Sequence, residues 1–423
     1  MATPRIEKIF AAINIGSFRI SAMIAGMSTD GEMIVLGSGH RAAEGISRGY
    51  VTDRNAASYA LRDAIERAER AADTQVNSVW IGCTNVGLQS TIRDIELNIG
   101  GRRIEQEDVD ELLALARDDV LPTGAADQRF VLHAHPTFYT LDGAEGVVDP
   151  VGLHADTLSV AIHVMDAQGG PLRNLMEAVQ SAHLDVEGMV GGALATGRAC
   201  LFEEESELGV AVIDFGAEIT QVSVHAGGML VGVDVLPYGS NDITDAIASS
   251  FGIRRAQAER MKCVHGSAIA SPADYRESIP LDADSSAPEN MVPRAELVSI
   301  IAGELDRWTD EITRALKELG FSLGHKGSGR QIVLTGGGAE LSGLADHVQQ
   351  ALGRPVRIGR PPAMKGLPEA HATPGFAVLS GLVLHAAANP SDIRSPAPGR
   401  QEHGAAGRMK LASRLMRAVR EYF

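Results

Sequence analysis

The sequence predicts an α/β protein with two similar lobes, and three observations carry this prediction. The chain has 423 residues, a length typical of two domains of ordinary size. Two segments, AAINIGSFRISAMI from Ala11 and AVIDFGAEITQVSV from Ala211, align with an offset of 200 residues and no gap. A stretch with helical spacing follows each copy, at Ala57–Ala72 and at Asn241–Phe251. Duplicated strand–turn–strand units followed by helices indicate two α/β lobes that face each other.

Each copy of the repeat has the pattern of a buried strand, a polar residue, a glycine turn and a second strand. The polar residue is Asn14 in the first copy and Asp214 in the second, and the turn glycines are Gly16 and Gly216. A further glycine turn is expected at the end of each hairpin, near Gly26–Gly31 in the first copy. The alternative, two unrelated hairpins, does not explain the matched polar residues and glycines.

Two insertions and a linker interrupt this plan. Residues 84–164 contain their own helix, Ile104–Asp118, and a long strand, RFVLHAHPTFYTL, so they are large enough for a subdomain. Residues 271–293 are polar and rich in Pro and Ser, which predicts a loop. A long amphipathic helix follows at Arg294–Gly320. Residues 389–407 are rich in Pro, Gly, Ser and Ala and have the composition of a flexible linker.

Composition limits the classes of function. The chain is 44% hydrophobic and 22% charged, as expected of a globular protein, and its net charge is −16. Nucleic acid repels so acidic a chain, so we expect no nucleic-acid partner. Cys83, Cys200 and Cys263 are too far apart for a disulfide framework or a zinc ribbon, and fit a reducing cytoplasm. We find no apolar run long enough to span a membrane, and we expect no signal peptide.

The sequence contains four separated segments that are candidates for one phosphate-binding site. They are the turn at Gly16, the turn at Gly216, the helix with Glu259 and Lys262, and the glycine run Gly336–Gly338. Glycine turns let the backbone approach phosphate oxygens, Ser17 adds a hydroxyl donor, and Asp214 is placed to hold a water on Mg²⁺. Glu259 and Lys262, three residues apart on a helix, share a face that can bracket a ribose. For each segment alone the alternative is structural, a glycine turn between strands or a solvated pair of charges. The expected nucleotide-binding residues are Gly16, Ser17, Phe18, Arg19, Asp214, Gly216, Ala217, Glu259, Lys262, Gly336, Gly337 and Gly338.

The order of these segments resembles that of the superfamily of actin and heat-shock-chaperone ATPases and, within it, the FtsA family of bacterial cell-division proteins. VLHAHPTFY with VVDPVGL is similar to the insertion of that family, and FGIRRAQAERMKCVHGSA to its ribose-contact segment. VEGMVGGALATG and GFAVLSGLVLH resemble its two connections between the lobes. The resemblance extends from Lys8 to the last residue.

The resemblance implies an actin-like duplicated two-lobed ATPase fold with an FtsA-type insertion subdomain, called IC, and a C-terminal amphipathic helix. It implies these subdomain bounds: 1–83 and 165–198 for IA, 84–164 for IC, 199–238 and 327–388 for IIA, 239–326 for IIB, 389–407 for the linker and 408–423 for a membrane-targeting helix.

Two departures from the family pattern bear on chemistry. Asn14 stands where such proteins usually have Asp, and an amide supplies no negative charge for hydrated Mg²⁺. Ala217-Glu218 stands where a glycine-rich turn is usual, and a carboxylate at Glu218 repels a γ-phosphate unless it faces away. No residue can be assigned as the base for an attacking water. We therefore predict binding of ATP and Mg²⁺ with slow or negligible hydrolysis.

The segment from Arg408 to Phe423 is basic and amphipathic. It contains five basic residues and one acidic residue, a net charge of +4, which leaves −20 for residues 1–407. A basic face opposite an apolar, aromatic-tipped face is typical of a helix that lies in an anionic membrane interface. The alternatives are a helix docked onto the second lobe and a coiled-coil strand. The expected membrane-binding residues are Arg408, Lys410, Leu411, Arg414, Leu415, Arg417, Val419, Tyr422 and Phe423.

The resemblance also implies partners. Proteins of this family polymerise head-to-tail and tether filaments of the tubulin-like protein FtsZ, the Z ring, to the cytoplasmic face of the inner membrane at the division septum, where later division proteins are recruited. The FtsZ C-terminal peptide would bind subdomain IIB, and a solvated helix face is the alternative there. The alternatives for the whole chain are another actin-like scaffold, similar to PilM or MreB, and a sugar-kinase-type phosphotransferase. The FtsZ-contact candidates on the long helix are Arg294, Glu296, Glu304 and Arg307, with Trp308.

Overall fold

The structure, a computed structural model, describes residues 5–85, 87–120, 129–281, 290–321, 330–388, 390 and 392–394. The described strands are β1 (Ile6–Ile15), β2 (Arg19–Ser28), β3 (Met33–Ala42), β4 (Ile46–Ser47), β5 (Tyr50–Val51), β6 (Ser78–Cys83), β7 (Gln89–Asn98), β8 (Arg129–Leu141), β9 (Ala144–Val147), β10 (Thr157–Gln168), β11 (Asp185–Gly191), β12 (Val210–Phe215), β13 (Thr220–Ala226), β14 (Met229–Leu236), β15 (Ser278–Pro280), β16 (Met291–Pro293), β17 (Gln331–Thr335) and β18 (Val356–Ile358). The described α-helices are α1 (Arg54–Ala72), α2 (Gln106–Val120), α3 (Gly169–Ser181), α4 (Gly192–Cys200), α5 (Glu203–Leu208), α6 (Ser240–Phe251), α7 (Arg255–His265), α8 (Arg294–Glu318), α9 (Leu344–Leu352) and α10 (Ala377–Ala388).

The two lobes have matching central sheets. The first lobe has the strand order β11-β6-β1-β2-β3 and the second has β14-β13-β12-β17-β18. In each sheet an antiparallel hairpin, β1–β2 or β12–β13, is flanked by a parallel strand, β6 or β17. The prediction of a duplicated two-lobed α/β fold is confirmed.

The repeat has the same backbone geometry in both lobes. The N–H of Gly16 donates to the carbonyl of Arg19 at 3.2 Å, and the N–H of Gly216 donates to the carbonyl of Ile219 at 3.0 Å. Both donors and both acceptors differ by the 200 residues of the sequence offset. The two turns are therefore equivalent elements.

Apolar cores hold each lobe together and fix their junction. In the second lobe the rings of Phe215 and Trp308 stack with centroids 4.2 Å apart, both fully buried. Helices α4 and α10 cross at the junction of the lobes, where a Cβ on Gly381 would collide with the carbonyl of Ala195. Glycine is needed at this close approach, which holds the two connecting helices beneath the cleft.

The insertion forms a four-stranded sheet of order β7-β10-β8-β9 with α2 on one face. Leu112 and Ala116 of α2 pack in one cluster with Ala134, Ile162 and Val164 of the sheet. The predicted strand RFVLHAHPTFYTL has the bounds of β8. The prediction of an inserted subdomain with its own core is confirmed.

One local prediction was wrong. The segment predicted as a loop between α7 and α8 contains two short strands, β15 and β16. They pair with each other, Ile279 lies opposite Val292, and the Ile279 side chain is buried. After the glycine run, a 3₁₀ turn occupies Gly337–Glu340, and helix α9 begins at Leu344. The glycine turn predicted near Gly26–Gly31 lies at the Gly31 end of that range. Strand β2 continues through Gly26 to Ser28, and the N–H of Gly31, at φ 78°, donates to the carbonyl of Ser28 at 2.9 Å.

The predicted tail at 408–423 and nearly all of the predicted linker lie outside the described residues. Among the helices that the structure describes, none combines the length and apolar character needed to cross a bilayer.

Candidate functional site

The duplicated turns face each other across a cleft between the lobes, which encloses a cavity of about 250 Å³. The cavity wall includes all but one of the residues expected to bind nucleotide: Gly16, Ser17, Phe18, Arg19, Asp214, Gly216, Ala217, Glu259, Gly336, Gly337 and Gly338. Lys262 is the exception. The structure therefore brings four distant segments of the chain to one site.

The tips of both turns present backbone amides to this cavity. A Cβ on Gly16 would lie 3.0 Å from a carbonyl oxygen across its turn, and one on Gly216 would lie 2.8 Å from the equivalent oxygen. In the part of the chain that the structure describes, the backbone amides of Ser17 and Phe18 have no hydrogen-bond partner, and the same holds for Ala217. Unpaired amides at a tight turn form a concavity suited to anionic oxygens.

Arg19 adds a positive charge to the wall. Its guanidinium lies 3.9 Å from the centroid of the Phe376 ring, and a Cβ on Gly375 would collide with it. Burial lowers the pKa of Arg19, and the charge of Glu340 opposes that shift. An arginine keeps its proton at neutral pH, so the cavity contains a fixed cation on a rigid aromatic support.

Asp214 is the acidic group at the base of the second turn. Burial raises its pKa to about 6. Gly336, at φ 86°, approaches so closely that a Cβ there would collide with Oδ1 of Asp214. Asn14 occupies the matching position in the first lobe and also lines the cavity. One carboxyl and one amide thus flank the site, a donor set that allows a water-mediated Mg²⁺ contact with less charge than two carboxylates.

A buried polar atom without a partner indicates that the cavity fits a polar ligand. Gln221 lines the cavity and is 2% exposed, and its Oε1 has no hydrogen-bond partner among the described residues. Thr84, which follows the end of β6, also lines the cavity. Open backbone amides, an arginine, a carboxyl and an unpaired amide oxygen together fit a phosphate-bearing ligand with a hydrated cation.

Glu259 and Lys262 have different environments. Glu259 lines the cavity, but Lys262 does not. The Lys262 ammonium donates to the carbonyl of Ser240 at 2.8 Å and to the hydroxyl of Thr244 at 2.7 Å. Nζ lies 2.8 Å from the Glu259 carboxylate. Burial alone would raise the pKa of Glu259, but the hydrogen bond and charge of Lys262 outweigh it and lower that pKa. Lys262 positions Glu259 and does not line the site.

The carboxylate of Glu218 points toward the first lobe. It accepts hydrogen bonds from the hydroxyl of Ser47 and from the backbone N–H of Arg48. The sequence predicts that this carboxylate repels a γ-phosphate unless it faces away. Both donors lie in the first lobe and already engage the carboxylate, so its orientation toward them decides how strongly it would repel a γ-phosphate.

Several residues of the wall were absent from the predicted site: Gly49, Thr84, Gln221, Ser240, Cys263, Glu340 and Gly375. Gln221 had a signal in the sequence. It pairs with Asp214 in the second hairpin as Ser21 pairs with Asn14 in the first. Gly49 belongs to no motif that we identified, and Gly375 begins the segment GFAVLSGLVLH, which resembles a connection between the lobes. Only the fold places these two glycines in the cleft.

Three FtsZ-contact candidates on α8 are engaged in the fold. Trp308 is fully buried and its Nε1 donates to Thr220 Oγ1 at 2.9 Å. Arg294 pairs with Asp274 and donates to a backbone carbonyl at 2.9 Å. Glu304 accepts from a tyrosine hydroxyl at 3.0 Å and is 17% exposed. Trp308 is therefore not available for a surface contact.

The other two candidates on α8 are accessible. Glu296 is exposed, and Arg307 is 76% exposed, with its guanidinium 2.8 Å from the carboxylate of Glu304. These two side chains are the ones that a partner can reach without rearrangement of the helix.

This architecture defines a class: a two-lobed, actin-like protein with a sheet domain inserted in the first lobe. Solved structures support the fold. The PilM–PilN type IV pilus biogenesis complex superposes with a TM-score of 0.62 at 19% identity, covering 93% of this chain and 100% of that chain. MreB5 of Spiroplasma citri bound to AMPPNP gives 0.53 at 13% identity, covering 89% and 96%.

The sequence comparisons identify the family. A family model described as "Cell division protein FtsA" matches residues 211–381, and one described as "SHS2 domain inserted in FTSA" matches residues 87–165. The cell division protein FtsA of Rhizobium meliloti is 33% identical over 428 residues, covering 98% of this chain and 95% of that protein. That of Agrobacterium fabrum is 34% identical over 390 residues, covering 89% and 86%. The chain belongs to the FtsA family of cell-division proteins.

Proposed function

We propose that this protein binds ATP with Mg²⁺, polymerises head-to-tail, and tethers FtsZ filaments to the cytoplasmic face of the inner membrane at the division septum, where it helps to recruit later division proteins. The observation that carries the proposal is the cleft in which the duplicated turns of an FtsA-family chain converge. Family membership favours this function over a PilM-like or MreB-like scaffold and over a sugar-kinase-type phosphotransferase.

The nucleotide part of the proposal is supported by the amides of both turns, by Arg19 and by the Gln221 amide. A bound Mg²⁺ would neutralise phosphate charge, and Asp214 would hold it through water. We expect calorimetry to detect ATP binding that strengthens with Mg²⁺, and turnover well below one per second. Asn14→Asp, which adds a carboxylate, should increase the dependence on Mg²⁺. A turnover of several per second in the unchanged protein would contradict slow hydrolysis.

The membrane part of the proposal rests on the sequence pattern of Arg408–Phe423. We expect the full chain to sediment with vesicles that contain phosphatidylglycerol. Changing Leu415 and Phe423 to Glu should release it, because each change puts a charge on the apolar face. The matched control changes Ser413 to Glu on the polar face and should retain most binding. Equal sedimentation of both variants would overturn the membrane assignment.

The FtsZ part is supported by the accessible pair Glu296 and Arg307 on α8. We expect Glu296→Lys with Arg307→Glu to weaken binding of an FtsZ C-terminal peptide at least fivefold in fluorescence anisotropy. Arg314→Glu, at an exposed position of the same helix, is the control. If both variants bind the peptide like the unchanged protein, the contact lies elsewhere.

One cellular experiment tests the whole proposal. A fluorescent fusion should form a midcell band in dividing cells, and deletion of residues 408–423 should abolish it. Diffuse fluorescence of the intact fusion would contradict the tethering function.

A further inference from the structure

A second cavity, of about 390 Å³, lies where the inserted sheet, α4 and the β13–β14 hairpin of the second lobe meet. One wall is the sheet face opposite α2. The β8–β10 register places His135 opposite His163 and His133 opposite Met165 on that face. Met229 lies on the second lobe's side. The proposed nucleotide, FtsZ and membrane contacts leave this cavity unused.

The interior of this cavity is polarisable but largely uncharged. Burial lowers the pKa of His163 to about 4 and that of His225 to about 3, so both imidazoles are neutral at pH 7. Burial also lowers the pKa of His133 well below its ordinary value. The charged residues of the lining are Arg198 and Glu203. Neutral rings and thioethers form a surface on which apolar side chains can be buried.

Helix α5, which contributes Glu203 and Ser206 to the cavity wall, combines exposed apolar groups with negative charge. Phe202 is 65% exposed and Leu208 is 68% exposed, at the two ends of α5. Between them, Glu203, Glu204 and Glu207 form no ion pair with any residue that the structure describes. Exposed apolar side chains beside three carboxylates complement a helix that is apolar on one face and basic on the other.

The chain leaves the described part of the molecule at the edge of this cavity. Pro390 lines the cavity, and the next described residues, Asp392–Arg394, form what we call the strap. The N–H of Ile393 donates to the carbonyl of Ala134 on β8 at 3.0 Å, and its side chain is 6% exposed in the core of the inserted domain. Arg394 donates to a β8 carbonyl at 2.5 Å. The strap fixes the root of the tail beside the cavity.

The same region contains His133, His135 and Asp392, whose ligand atoms lie within 4.8 Å of one another. Asp392 is paired with Arg394 at 2.7 Å, and Nε2 of His133 accepts from the N–H of Gly191 at 2.9 Å. Because the Asp392 carboxylate serves the strap and the His133 lone pair serves the sheet, we assign no metal to this group.

We propose that Arg408–Phe423 of the same chain docks its apolar face into this cavity when no lipid surface is present. This inference rests on the proposed function, because it gives the membrane-binding segment a second site within its own chain. Residues 395–407 separate the strap from the segment, and a flexible linker of that length spans roughly 20 Å. Such a tether gives an effective concentration in the millimolar range, so modest intrinsic affinity suffices.

Charge favours this occupant over an acidic or neutral one. The segment contains five basic residues. Glu203 lines the cavity, and Glu204 and Glu207 lie on the same short helix. Arg198, which also lines the cavity, has the opposite charge to these carboxylates. Glu421 is the acidic residue of the segment and complements the charge of Arg198. Docking and membrane binding then compete for one apolar face, so the docked fraction lowers the apparent affinity for lipid.

Photo-crosslinking in the full chain tests docking directly. With benzoylphenylalanine in place of Tyr422, illumination without lipid should join the tail to residues 201–208 or 228–230 of the same chain. Vesicles containing phosphatidylglycerol should reduce the yield at least fivefold, whereas phosphatidylcholine vesicles should not. A crosslink between two chains, a crosslink elsewhere on the body, or no crosslink above that seen with Leu415→Glu overturns the proposal.

A charge reversal gives an independent measurement. Changing Glu203, Glu204 and Glu207 to Lys should repel the tail and strengthen binding to phosphatidylglycerol vesicles at least fivefold relative to a control with the same charge change. The control converts three other acids with no described ion pair, Asp30, Glu107 and Glu111, to Lys. Equal affinities of the two variants, with matching thermal melts, would refute docking.

The two proposals fail separately. If the unchanged chain binds no vesicles, the membrane function fails. Docking alone fails if the chain binds vesicles and the variant with Leu415 and Phe423 changed to Glu does not, while two other effects are absent. These are the crosslink from position 422 and the stronger vesicle binding of the charge-reversed variant.

Discussion

The carboxylate of Glu218, in the second lobe, accepts a hydrogen bond from the backbone N–H of Arg48, in the first lobe, with 2.6 Å between N and Oε2. The same oxygen accepts from the Ser47 hydroxyl at 3.0 Å. Glu218 lies in the second turn, and Arg48 lies between β4 and β5 at φ 48°, next to Gly49 of the cavity wall. The residue that departs from the family's glycine-rich turn thus joins the lobes beside the cleft.

Removing this cross-lobe bond should loosen the first lobe's loop. A hydrogen bond to a charged acceptor contributes about 1.5–3 kcal/mol, so Glu218→Ala should speed amide exchange of Arg48 roughly 10- to 100-fold. Glu218→Gln, which keeps an oxygen acceptor, should have a smaller effect. Hydrogen-exchange mass spectrometry of the peptide around Arg48 measures both. Unchanged protection in the alanine variant would mean that the bond does not restrain the loop.

The buried pair beneath the site should be sensitive to loss of one partner. Lys262→Met leaves Glu259 and Thr244 without the ammonium, and should destabilise the fold by about 1–3 kcal/mol, since Glu259 is only partly shielded from water. The double change of Lys262 and Glu259 to Met should recover part of that loss. Urea denaturation measures the free energy of unfolding. A double variant no more stable than the single one would argue against a coupled pair.

We expect the ionised Asp214 carboxylate to lower the stability of the fold while it supports Mg²⁺-dependent nucleotide binding. Its pKa is about 6 in the folded protein, against an ordinary value of 3.8. Between these values the unfolded chain has lost the proton that the folded chain retains, so stability falls as pH rises through this window and stays lower above it. Asp214→Asn should therefore be more stable at pH 8 by about 1–3 kcal/mol. It should also lose the Mg²⁺ dependence of nucleotide binding.

Melting curves at pH 4 and pH 8 check the sign of this effect. The advantage of Asp214→Asn should shrink at pH 4, where the native carboxyl is protonated in the folded state. Asp234→Asn, in β14 of the same lobe, serves as the control for loss of a carboxylate elsewhere in the second lobe. An advantage for Asp214→Asn that grows toward low pH would contradict the buried, raised-pKa carboxyl.

Two neighbouring glycines should respond differently to alanine. Gly336 has φ 86°, and its Cβ would collide with the Asp214 carboxylate, so Gly336→Ala should destabilise the fold by about 1–3 kcal/mol. A Cβ on Gly337 meets no atom within 4 Å, so Gly337→Ala should fold normally. Both should weaken nucleotide binding, because both line the cavity. Thermal melts and calorimetry separate these effects, and equal melts would contradict the assigned strain.

Local patterns were sufficient for much of the fold and site. Tight turns require glycine at Gly16 and Gly216. The offset of 200 residues between them indicates the duplication from the sequence alone. The glycine run that begins at Gly336 also reflects a local backbone requirement, because Gly336 has a positive φ. Lys262 was misplaced because helical spacing gives a shared face with Glu259 but does not say which atoms cover that face. Trp308 lies on an amphipathic helix, and only packing against Phe215 decides that it is buried.

By itself the sequence determined the duplicated α/β plan, the two glycine turns, the inserted domain and the basic, amphipathic pattern of Arg408–Phe423. These follow from backbone preferences and hydrophobic spacing, which act over a few residues. The tertiary structure alone decided that Glu218 bonds Arg48 across 170 positions of the chain, and that Ile393 lies on β8 beside a histidine-lined cavity. Such contacts depend on where distant elements meet, because no local periodicity specifies the partner of a side chain across a lobe boundary.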